Sequence, residues 1–281
     1  MINQIDFASE VPLPDNHHTA HSVYCFCRDP YIYYQTYIQD KLPKPPVIRN
    51  QAEMLFKYKL LCGLDKFDER FDTFAPVNPN TGKPYGDDTN KFAEWARSVR
   101  NEGKIPVHPS VLEKANEAYA HTKAQIDGNL LPLMSDVVGV SGRAGLQAVA
   151  TIDNSKCYAN IDFLSDQGTI SKVMLIPSLD RLSDAEWVAE EFMFPLVFQY
   201  VTLKEAIPST RLNNVAIAVV AEYLPPFRVA NFEVDVKNRI EIVLGAIQKL
   251  NKKIADSKDN IANWQSPYHL YMLPYNINTC I

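Results

Sequence analysis

Three short runs decide the fold: residues 147–152 (QAVATI), 157–164 (CYANIDFL) and 170–176 (ISKVMLI). Each is short and rich in β-branched and aliphatic residues. They are separated by Asp153-Asn154-Ser155 and Asp166-Gln167-Gly168, side chains that favour tight turns. The pattern predicts a small antiparallel three-stranded meander. In the second run Tyr158, Asn160 and Asp162 alternate with Ala159, Ile161 and Phe163, so one face of that strand is expected to meet water.

On both sides of the meander the apolar spacing turns helical. Asn50 stands where a cap belongs, and Ala52, Leu55, Phe56, Lys59 and Leu60 recur at three and four until Gly63. Residues 64–74 place Asp65, Asp68, Glu69 and Asp72 on one side and Phe67, Phe71 and Phe74 on another, an amphipathic turn or two. Residues 75–88 (APVNPNTGKPYGDD) are loop. Helices are then expected over 88–102 and 110–127, the second introduced by Pro109. Beyond the meander, Ser183 and Glu186 read as a capping box for a helix that Pro195 kinks or breaks, with 192–198 buried all round. Residues 214–224 fit strand or helix, with the balance toward helix. From Val234 to about Trp264 apolar residues keep helical spacing, which predicts one helix of roughly 45 Å at 1.5 Å per residue. The expected class is α+β, mostly helical, with a small meander and a long C-terminal helix. Two units are expected, 1–135 (a Pro/Tyr-rich arm plus helices) and 136–281 (meander, helices and a Tyr/Pro-rich tail), which also fit as one compact unit.

Composition narrows function. The chain has 281 residues, 46% hydrophobic and 22% charged, which is the make-up of a folded globular protein. A net charge of -5 provides no general attraction to phosphate backbones or anionic lipid, so nucleic acid is not expected as a partner. The opening residues lack the basic and apolar regions of a secretory signal, and the longest apolar runs are seven residues, so no membrane insertion is expected. Five scattered cysteines, Cys25, Cys27, Cys62, Cys157 and Cys280, form no disulfide framework and read as free thiols in a reducing cytoplasm.

Chemical motifs are sparse. His17, His18, His21, Cys25 and Cys27 lie close enough in sequence to suggest zinc, yet C-x-C sends its thiols to opposite sides of a strand and no second pair follows. The run Gly139-Val140-Ser141-Gly142-Arg143-Ala144-Gly145 has Arg143 where a nucleophile elbow needs glycine, and reads as a hinge. Thr81-Gly82-Lys83-Pro84 lacks the features of a phosphate loop. The acidic residues 65–72 read as a solvated face, and Glu190 and Glu191 as neighbours pointing in different directions. His108, His121 and His269 stand alone in sequence. No catalytic residue, metal ligand or cofactor is therefore expected.

Two classes of function remain. One is a non-enzymatic adaptor, which explains the tyrosines of the arm (Tyr31, Tyr33, Tyr34, Tyr37), those of the tail (Tyr268, Tyr271, Tyr275) and the long helix as docking elements, since aromatic residues dominate interface cores. The other is a cytoplasmic enzyme with a site assembled from residues distant in sequence. In its length, Tyr/Pro-rich arm, lack of catalytic motif and helical C-terminal half over 182–264, the chain resembles the accessory subunits of the Dot/Icm type IV secretion coupling complex. That resemblance implies a bacterial protein held at the inner membrane through its partners, the coupling ATPase and a sister accessory subunit, where it helps recruit effector proteins without chemistry of its own.

Overall fold

A computed structural model describes residues 2–4, 17–44, 51–257 and 264. In chain order the strands are β1 (Ile2–Gln4), β2 (His17–His18), β3 (Phe71–Asp72), β4 (Ile105–Pro106), β5 (Gly142–Ile152), β6 (Ser155–Ser165), β7 (Ile170–Ile176), β8 (Val215–Glu222) and β9 (Val229–Asp235). The helices are α1 (Ala20–Arg28), α2 (Pro30–Tyr33), α3 (Gln51–Lys57), α4 (Leu64–Arg70), α5 (Asn90–Asn101), α6 (Pro109–Asp127), α7 (Ala185–Val188), α8 (Phe194–Ala206) and α9 (Ile240–Ser257). Wider π turns extend α2 through Tyr34–Ile38 and α3 through Tyr58–Cys62, and join α7 to α8 through Ala189–Met193.

The expected small meander is corrected to a seven-stranded mixed sheet in the order β1-β5-β6-β7-β8-β9, with β2 beside β6. β5 to β7 are antiparallel neighbours, but the sheet does not stop there. β8 lies parallel to β7, reached by the α7–α8 crossover that such a pair requires, and β9 returns antiparallel. Residues 214–224, expected as helix, are mainly this strand. Its Ala216, Ala218 and Val220 face one core while Ile217, Val219 and Ala221 face the other. A strand covered on both sides is apolar throughout, so the alternation that marks a half-exposed strand is missing.

Helices cover both faces. One core packs α1, α8 and α9 against Leu146, Ala148 and Ile161, and the other packs α3 and α6 against Val173, Leu175 and Ile217. Elements from both sides of residue 135 thus share one sheet. The single helix expected over 234–264 is also corrected. Val234 and Val236 are buried at the end of β9, and the Asp235 carboxylate accepts the Asn238 N–H, turning the chain before α9 starts at Ile240. The cap of α7 moves by one residue. Asp184, not Ser183, accepts the N–H groups of Glu186 and Trp187, while the Ser183 hydroxyl donates to the Asp180 carbonyl.

The arm lies on its own chain. Tyr33 and Tyr34 are 3% and 2% exposed, and both stack on Trp264, with ring centroids 5.9 and 5.2 Å away. Trp264 is fully buried and its Nε1 donates to the Ser257 carbonyl at 2.9 Å. Tyr37 stacks on Tyr33 at 5.1 Å, Tyr31 is half-buried, and Tyr268, Tyr271 and Tyr275 lie outside the described residues. Among the described residues no helix is long and apolar enough to cross a membrane.

Candidate active site in an opening of the sheet

β6 and β7 are paired only at Phe163–Ser171 and Leu164–Ile170. Beyond that point they part, and at its far end β6 pairs instead with β2 through Lys156 and Cys157. Between these two pairings the sheet has a window. Two N–H groups of β7 that a neighbouring strand would normally take are met there by side chains, since an unpaired buried N–H is costly. Asp162 Oδ2 accepts from Val173 at 2.8 Å, and Glu53 Oε2, reaching in from α3, accepts from Leu175 at 3.2 Å.

Lys57 sits one helical turn after Glu53 and holds both carboxylates. Its Nζ is 3.0 Å from Glu53 Oε1 and 3.1 Å from each oxygen of Asp162. Burial alone would lower its pKa. The charges and hydrogen bonds of Asp162 and Glu53 outweigh that and hold it above the ordinary lysine value, so Lys57 stays an ammonium.

Lys172 is the opposite case. It interrupts the apolar run of β7, and its side chain is 15% exposed. Its Nζ donates to the backbone carbonyl of Glu191 and lies 3.7 Å from that residue's Oε2. The carbonyl is available for a reason written in the sequence: Pro195, four residues on, has no N–H to return to it, and the helix widens into its π turn just before. Burial pushes Lys172 below the ordinary lysine value. The Glu191 charge offsets part of this, and the charge of Lys57 adds to the lowering.

A cavity of about 280 Å³ opens beside these groups, lined by Glu53, Lys57, Asn160, Lys172, Glu191 and Gln199 among others. A second, larger groove of about 780 Å³ is lined by Tyr58, the residue after Lys57, and by Gly142, Arg143 and Ala144 at the start of β5. Lys66, Arg70 and Arg143 give it a basic lining against one carboxylate, Glu69, and Arg70 Nη1 donates to the Gly103 carbonyl at 3.0 Å.

Most residues singled out in the sequence lie elsewhere. His108 caps α6 by accepting from the Ser110 N–H, and His121 stacks on Phe227 at 4.8 Å. His18 is hydrogen-bonded to Asn251 at 2.8 Å and its pKa is lowered, chiefly by burial. Among the described residues no three His, Cys, Asp or Glu side chains converge as a metal site, so the cluster of His17, His18, His21, Cys25 and Cys27 is not drawn together as one. Asp65, Asp68 and Glu69 are exposed along α4. Four residues raised in the sequence do reach the cavity: Tyr37, expected as a docking residue, and His21, Glu190 and Glu191, which were set aside. Lys57 and Lys172 went unmarked, although a lone lysine in the otherwise apolar run 170–176 was a readable anomaly.

No family model matches the chain, and no curated protein matches it. Among solved structures it is similar to a putative exonuclease from Eubacterium rectale, with 10% identity, coverage of 88% of this chain and 83% of that one, and a TM-score of 0.49. It is also similar to an alkaline exonuclease from Laribacter hongkongensis, with 12% identity, coverage of 89% and 96%, and a TM-score of 0.34. Both likenesses are loose. The reading as a non-enzymatic secretion adaptor is corrected here. Two of its docking tyrosines, Tyr33 and Tyr34, are core residues, and its long helix is a strand followed by a shorter helix. The sheet window instead gathers reactive groups from distant parts of the sequence.

Proposed function

We propose that this chain is a hydrolytic enzyme acting on a phosphodiester at the window between β6 and β7. The observation that carries this is two buried lysines lining one cavity, Lys57 held between two carboxylates and Lys172 against a backbone carbonyl, surroundings that displace their pKa values in opposite directions. Groups whose surroundings push their pKa values apart are the usual mark of divided acid and base roles. Lys172, held toward its neutral form, takes the proton from an attacking water as the bond from that oxygen to phosphorus forms and the bond to the leaving oxygen breaks, and the leaving oxygen takes up a proton from solvent. Lys57, held charged by Glu53 and Asp162, faces the negative charge that grows on the phosphoryl oxygens.

The groove lined by Lys66, Arg70 and Arg143 supports a substrate with further phosphates along a chain. A net charge of -5 describes the whole surface, whereas an anionic strand meets only the local lining. Asp162 and Glu53 are already engaged by Lys57 and by β7, so this donor set does not fit a divalent cation and no step is routed through one.

The test is incubation of the purified chain with end-labelled single-stranded and duplex oligonucleotides, with and without a chelator. Cleavage that survives the chelator and disappears in K172M is the expected result. Intact substrates at every pH from neutral to alkaline, with the wild-type chain folded, would remove the reading.

A further inference from the structure

The wall of the cavity formed by α8 and β6 has a character that phosphate chemistry does not explain. Gln199 is 8% exposed, and its Nε2 donates to the backbone carbonyl of Asn160 at 2.7 Å. That bond fixes the orientation of the amide and leaves Oε1 with no partner among the described residues. The side-chain oxygen of Asn160, on the neighbouring strand, is in the same position. Both residues line the cavity. Buried acceptors are ordinarily satisfied, and two orphans on one cavity wall mark a place where something else donates.

The remaining surfaces limit what that is. Tyr37, Tyr158, Phe198, Met174 and Pro195 supply flat, largely apolar sides. A planar ring suits such a slot, and a volume of about 280 Å³ admits a single ring system with a small substituent. We infer that this wall binds a planar heterocycle carrying an exocyclic amino group, whose two N–H bonds meet the two oxygens of Gln199 and Asn160. The inference deepens the phosphodiester reading by naming the group next to the reacting phosphate, and it rests on that reading only for where the phosphate sits.

Cytidine and uridine monophosphates are the probes, because they match in charge and size. They differ at one position, where cytosine presents an amino donor and uracil a carbonyl acceptor. Calorimetric titration of the full chain is expected to show the cytidine nucleotide binding at least about fivefold tighter, the scale of one hydrogen bond gained or lost. Gln199→Met and Asn160→Ala are each expected to reduce that ratio toward one, and using both guards against either failing to fold. Equal affinities in the wild type, or no binding of either nucleotide by a folded chain, would overturn the inference. Cytidine and uridine without phosphate separate it from the reading above. A preference that persists without any gain from the phosphate keeps the amino site and removes the phosphate one, and tighter binding of both nucleotides without discrimination does the reverse.

Discussion

Lys57 and Asp162, 105 positions apart in sequence, are joined by an ammonium 3.1 Å from both carboxylate oxygens, each side chain only 14% exposed. The pair ties α3 to the strand that borders the sheet window. Removing one partner of a buried pair leaves the other charge uncompensated, which costs about 3–5 kcal/mol. Lys57→Met is therefore expected to lower stability by that order in urea denaturation, with Glu53 and Asp162 left facing each other. The double variant K57M/D162N is expected to recover part of the loss. A single variant as stable as the wild type would show that the pair is not the tie described.

Lys172 governs the pH dependence of the proposed reaction. A base acts in its neutral form, so the rate is expected to climb as pH rises and to level off once Lys172 has lost its proton. Because burial lowers its pKa, the midpoint of that limb falls below the ordinary lysine value. Lys172→Arg keeps the charge at every accessible pH, and is expected to abolish the limb and lower the rate by about 10²-fold or more. A pH-rate profile of the two chains decides it, and an unchanged profile in the arginine variant would take Lys172 out of the role.

Glu222 sets the acid limit of stability. It ends β8 at 1% exposure, accepting the N–H of Leu179 at 2.6 Å and that of Arg228 at 2.9 Å, with the Arg228 guanidinium across both oxygens. Burial alone would raise its pKa, but the hydrogen bonds from Arg228 and from the two N–H groups bring it below the ordinary glutamate value. A depressed carboxyl contributes stability that is full above its unfolded-state pKa and is lost as pH falls through the folded one. Glu222→Gln is expected to flatten that acid limb of the denaturation midpoint and to destabilise the fold at neutral pH. An identical acid limb in the variant would assign the effect to other carboxyls.

Trp264 anchors the end of the described chain against its beginning. Large-to-small changes at fully buried aromatic residues cost about 3–5 kcal/mol. Trp264→Ala is expected to lose stability on that scale and to raise the exposure of Tyr33 and Tyr34, followed by hydrogen exchange over 20–38. Unchanged protection of that segment would mean the arm holds its place without the indole.

How far the sequence could be read follows from what each pattern depends on. Helices with a single exposed face announced themselves: α3, α5 and α6 appear within two or three residues of the expected positions, and Gly63 closes the first with φ at 89°. β8 was obscured because both its faces are covered, and β9 with α9 because Val234 and Val236 continue by coincidence the spacing of the helix that follows. The site was hidden for a different reason. Asp162 was legible as a polar residue on a face of its strand expected to meet water, but Tyr158 on that face is buried and Lys57 of α3 covers Asp162. Its partners Lys57 and Glu53 sit on a helix where salt-bridged i,i+4 pairs are commonplace, and only the parting of β6 from β7 gives them a shared purpose. No local spacing encodes where two strands separate.

The stacking of Tyr33 and Tyr34 on Trp264 bears on how the molecule is made. During synthesis the two tyrosines emerge early, but the indole that covers them is added only after every strand of the sheet has been synthesised. Until then the first helices have an incomplete aromatic face to offer, and the β5–β6 hairpin, whose contacts are local, is free to form ahead of them. The last turn of the described chain is thus a latch that closes on a finished body, and a nascent polypeptide halted before it would expose its tyrosines to whatever chaperone surveys the tunnel exit.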